Sequence, residues 1–94
     1  MDDEAQLALT KVRVGGRAAD LYVFDDRLVV TTQDGDRVIP MRRLERVATR
    51  RNWRGSVRVR LALSDDEVLE IAGLNASSAS VAHRTIVGIA RDFH

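Results

Sequence analysis

Residues Val57–Leu63 read VRVRLAL, and this stretch limits the fold more tightly than any other. Val57, Val59, Leu61 and Leu63 alternate with Arg58, Arg60 and Ala62, the period of a β-strand with one buried and one wet face. Such a strand needs an antiparallel neighbour and an apolar cover, so the chain must build a sheet protected on one side. The strand belongs to a longer segment, Pro40 to Leu63, that holds Arg42, Arg43, Arg46, Arg50, Arg51, Arg54, Arg58 and Arg60 against the single acid Glu45. The total charge is only +1, so the rest of the chain is net acidic and any preference for charged partners must come from segregation of charge. Between the two halves of the segment, Arg51-Asn52-Trp53-Arg54-Gly55 carries the Asn and Gly chemistry of a hairpin turn and sets the only Trp between guanidinium groups.

Ninety-four residues suit one domain that buries about 60–65% of its unfolded surface. Cysteine is absent, which excludes disulfides, thiolate metal sites and a Cys nucleophile. No apolar run reaches the roughly 18–20 residues of a membrane span, and Met1-Asp-Asp-Glu is the reverse of a basic signal-peptide start. The expected setting is the cytoplasm. Fourteen arginines against one lysine, Lys11, fit the codon usage of a GC-rich genome.

From the N-terminus, Met1–Gln6 is acidic, lacks apolar partners and is expected to be disordered. Leu7 and Leu9, then Val12 and Val14, form two alternating pairs out of phase, which predicts one strand with a bulge near Thr10-Lys11. Gly15-Gly16 predicts a two-residue hairpin turn, where positive φ is required. In the strand Ala18–Phe24, either Leu21 and Val23 or Tyr22 and Phe24 could face inward. Turns follow at Asp25-Asp26, at Asp34-Gly35 after the strand Leu28–Thr32, and at Ser64-Asp65-Asp66. Val38-Ile39 and Val68, Leu69 and Ile71 supply two further strands. Pro40–Arg51 is ambiguous: Met41, Leu44, Val47 and Ala48 fit a helix, whereas Val47, Thr49 and Arg51 alternate. The need of Val57–Leu63 for a partner favours a strand from about Leu44. Ala79, Ala82, Ile86, Ile89, Ala90 and Phe93 recur at helical spacing, predicting a helix over 76–91 capped by Asn75 or Ser77.

About seven short strands followed by one amphipathic helix imply a small, strongly bent antiparallel sheet or barrel closed by that helix. This order, with the phrases DLYVFDDRLVVTT and VIPMRRLERV, the Arg51–Gly55 hairpin and the closing helix, resembles the pleckstrin-homology-like domains, in particular the short bacterial members and the GRAM domains. The resemblance implies a non-catalytic binding module. It also implies a secondary anion-binding set at Lys11, Arg13 and Arg17 on the first two strands, although the Gly15-Gly16 turn is shorter than a typical phosphoinositide loop.

Catalytic and metal constellations are not found: there is no Gly-rich phosphate loop and no Ser/His/Asp set, and His83 and His94 are isolated. No cofactor or metal is expected, and an enzyme is not. Asp25-Asp26 and Asp65-Asp66-Glu67 read as turn formers, and His83 as a surface or interface residue. Two binding classes remain. A protein-interaction module would take up a peptide or a second copy of the chain at a sheet edge or beside the terminal helix. An anion-binding module would use Arg42, Arg43, Arg46, Arg50, Arg51, Trp53, Arg54, Arg58 and Arg60 toward lipid headgroups or nucleic-acid phosphates. A homo-oligomer would set these arginines against Met1–Glu4 or Asp65–Glu67 of a neighbour.

Overall fold

The turn signals cut the chain into seven strands and one helix. The computed structural model describes residues 4–93: β1 (Leu7–Val14), β2 (Arg17–Val23), β3 (Arg27–Thr32), β4 (Gly35–Pro40), β5 (Leu44–Arg51), β6 (Val57–Leu63), β7 (Val68–Leu74) and α1 (Ala76–Phe93). All pairings are antiparallel, in the order β4-β3-β2-β1-β7-β6-β5. Two meanders are joined by a short β1–β7 ladder, in which Arg13 opposes Ala72 and Val14 opposes Ile71.

The sheet is bent but not closed into a barrel, because β4 and β5 form its two edges and no ladder joins them. Only the 3-10 turn Met41–Arg43 connects these strands, so their ends are adjacent at that side, and α1 packs against that turn and β5–β7. The seam is stitched by side chains. Arg43 Nε donates to Ser64 Oγ at 3.0 Å, and its Nη2 reaches Glu67 Oε1 at 2.9 Å. Arg37 from β4 pairs with the other Glu67 oxygen at 2.5 Å. The two guanidinium groups, Arg37 first, hold the Glu67 carboxyl below its ordinary value.

Alternation decides the faces. Val57, Val59, Leu61 and Leu63 are buried, as are Ala19, Leu21 and Val23, while Tyr22 faces the outer side. α1 lays Ala79, Ala82 and Ile86 on the inner face against β5, β6 and β7, with Ile89 and Ala90 partly buried. Asn75 caps it, its Oδ1 accepting from Ser78 N–H at 2.7 Å. Phe93, expected on the apolar stripe, is instead 45% exposed.

The bulge in β1 falls between Leu9 and Val12, with Lys11 at φ 57 and its N–H donating to Asp20 Oδ1. Gly15 and Gly16 both take positive φ. The β3–β4 turn sits one residue earlier than expected, at Gln33-Asp34, because Gly35 alone takes positive φ and already opposes Thr32 in the ladder. Thr32 Oγ1 secures this turn by accepting from Asp34 N–H. Gln6, expected in the disordered start, donates its N–H to the Val23 carbonyl at 2.7 Å, and Met1–Asp3 lie outside the described residues. Among the described residues no helix is long and apolar enough to cross a membrane.

Candidate functional site

Neighbouring residues of a strand point to opposite sides of the sheet, and this divides the arginine run. Arg50 opposes Arg58, and Ala48 opposes Arg60, so Arg46, Arg50, Arg58 and Arg60 share the outer face. Arg51 opposes Val57, which places it on the inner side with Val47 and Thr49, beside α1. Arg42 is exposed in the 3-10 turn, Arg43 is occupied at the seam, and Arg54 lies over the Trp53 ring at 4.8 Å. The second set is dispersed too. Lys11 sits in the bulge, Arg13 is on the outer face opposite Ala18, and Arg17 pairs with Asp34 at the far end of the sheet.

On the inner side, β5 and α1 flank an open groove of about 670 Å³, lined by Thr49, Arg51, His83, Arg84, Gly88 and Arg91 among others. A second depression of about 250 Å³ continues it toward Leu44 and shares Val87 and Arg91 with it. The groove therefore follows the whole of β5, whose outer edge pairs with no strand among the described residues and leaves alternate backbone N–H and C=O groups unmatched by a ladder. Thr49 Oγ1 and His83 Nδ1 are hydrogen-bonded at 2.6 Å and pin α1 to β5 at mid-groove. Arg51, Arg84 and Arg91 are exposed and have no ion-pair partner among the described residues. Among the described residues, Glu45, in the smaller depression, is the one acid in either lining.

Gly88 lies inside the C-terminal half of α1, where glycine costs about 0.5–1 kcal/mol relative to alanine. Its φ is not in the left-handed region, and a Cβ built there meets nothing within 4 Å beyond its chain neighbours and the backbone of its own helix. Neither backbone nor packing within the chain calls for glycine at this place. Its effect is to keep the groove wall low.

On the outer side, Arg58 Nη1 and Arg60 Nη2 share Glu70 at 2.6 and 3.3 Å, and Arg58, the stronger partner, leads in holding the Glu70 carboxyl below its ordinary value. Beyond the strands, the hairpin tip is ordered by Asn52, whose Oδ1 accepts from Arg54 and Ser56 N–H, both at 2.9 Å. Trp53 is 88% exposed there.

Sequence reasoning found β5 and the hairpin but not Arg84, Gly88 or Arg91. The available signal was a glycine within a helical repeat, a residue that helix periodicity alone passes over. Among the described residues no group of three His, Asp or Glu side chains could hold a metal ion. No family model matches the chain, and no curated protein is similar to it.

Proposed function

We propose that this chain is a non-catalytic protein-interaction module on a pleckstrin-homology-like scaffold, and that it takes up an extended acidic segment of a partner protein as an added strand on β5. The order of seven antiparallel strands and a closing helix supports the likeness of scaffold. The observation that carries the binding reading is Gly88, a stability cost inside α1 that lowers the groove wall directly beside the unpaired edge of β5. Added strands gain affinity from main-chain hydrogen bonds and specificity from pockets for alternate side chains. Here Arg51, Arg84 and Arg91 give those pockets a positive potential, which selects acidic side chains and speeds encounter. Self-association through Asp65–Glu67 is the weaker reading, because Glu67 is already engaged by Arg37 and Arg43.

The test is fluorescence anisotropy with a labelled peptide of alternating Glu and Val. It is expected to bind wild type, and Gly88→Gln or the pair Arg84→Glu, Arg91→Glu is expected to weaken it about tenfold or more. Binding unchanged in both variants would overturn the reading.

A further inference from the structure

The outer face of the β5–β6 hairpin presents a second cluster of arginines, which meets the groove at Arg51. Arg50 and Arg58 are directly opposed across the ladder, an arrangement in which like charges repel at short range. Arg60 follows Arg58 by two residues, about 6.6–6.8 Å along the same face. One carboxylate, Glu70, serves Arg58 and Arg60, and Arg50 has no ion-pair partner among the described residues. Arg60 Nε is buried without a hydrogen-bond partner. These groups, with Arg51, Asn52 and Ser56, line a depression of about 370 Å³ that runs up to the hairpin tip. At the tip the Asn52 hydrogen bonds fix the turn that presents Trp53, and the Arg54 guanidinium lies over its ring. Packing within the chain explains neither the opposed arginines nor an indole held in water.

We propose that this face binds single-stranded nucleic acid, with Arg50, Arg58 and Arg60 on successive phosphates and Trp53 stacking on a base. The alternation of cations along the strand is a step of the same order as the spacing of phosphates in an extended polynucleotide. An exposed aromatic at the end of such a row is the arrangement by which single strands are held without sequence preference. A membrane surface fits less well. A plane resting on the hairpin tip would meet Trp53 and Arg54 and leave Arg58 and Arg60, which lie down the strand, without a headgroup. Glu70 occupies Arg58 and Arg60 in the free protein and competes with an incoming phosphate.

The probe is an oligo(dT) of about twelve nucleotides, followed through Trp53 emission, since the chain has only this Trp. At about 20 mM salt, where the Debye length is roughly 20 Å, quenching on titration is expected. The affinity should fall with salt with a logarithmic slope near −2, about −0.7 for each of three phosphates. Trp53→Ala should weaken binding, read by anisotropy of a labelled oligonucleotide, about tenfold, and Arg50→Gln with Arg58→Gln should flatten the slope. Glu70→Gln should tighten binding, because it frees two guanidinium groups. The groove pair Arg84→Gln, Arg91→Gln should leave binding unchanged. Circular dichroism melts confirm that each variant is folded. The proposal is overturned if wild type fails to bind oligo(dT), or if Glu70→Gln does not tighten binding. It is equally overturned if Trp53 emission shifts to the blue only with phosphatidylcholine vesicles containing about one-third phosphatidylserine and not with oligo(dT).

Discussion

At the scale of single residues, the chain departs from what stability alone would select at a few places, and these places coincide with the two candidate surfaces. Gly88 is the clearest. Because a Cβ there would meet nothing within 4 Å beyond its chain neighbours and the backbone of its own helix, Gly88→Ala is expected to raise unfolding free energy by about 0.5–1 kcal/mol in chemical denaturation. An equal or lower stability would mean that the helix needs its glycine and that the groove has no claim on it. Some residue-scale features were legible beforehand. The change of phase between Leu9 and Val12 has one explanation, an inserted residue, and Lys11 at φ 57 is that residue. The exposure of Trp53 was not legible, since a lone aromatic in a turn can fold back or stand free. Only the Asn52-centred turn decides between them.

At the scale of elements, alternation identified β6 without ambiguity, whereas Pro40–Arg51 satisfied two periods at once. Both were real. Met41 and Leu44 are buried three residues apart because a 3-10 turn separates β4 from β5, and alternation takes over from Leu44. α1 was legible through its apolar stripe, and its hold on the sheet rests on Ile86, which is fully buried among β5–β7. Ile86→Ala is expected to cost about 2–5 kcal/mol of a stability that is itself of order 5–15. Denaturant titration checks it, and a loss below about 1 kcal/mol would show that α1 adds little to the core. The division of the arginines could be read only after the strands were placed. Once β5 is a strand, Arg50 and Arg51 must lie on opposite sides of the sheet, and a run of cations becomes two surfaces.

At the scale of the whole molecule, an open sheet needs something to hold its two edges, and here Glu67 receives Arg37 from one edge and Arg43 from the turn that leads to the other. Its carboxyl is held below the ordinary 4.5, so the contribution is complete above that pH and is lost as pH falls through the folded value. Glu70 titrates in the same direction. Melting temperature is therefore expected to decline below about pH 4.5, and Glu67→Gln to lower it at pH 7 while flattening that acid limb. A variant with the wild-type acid limb would remove Glu67 from the seam. Strand order and the open edges were beyond the sequence, because they depend on the two-residue β1–β7 ladder, a long-range pairing with no local signature. That ladder leaves β5 at an edge beside α1, and the claim that this edge receives a strand is tested most directly by amide hydrogen exchange with and without the alternating Glu/Val peptide. New protection is expected at alternate amides of β5 and at α1 residues around Gly88, with β4 unchanged. Protection confined to β4, or none on β5 at saturating peptide, would contradict it.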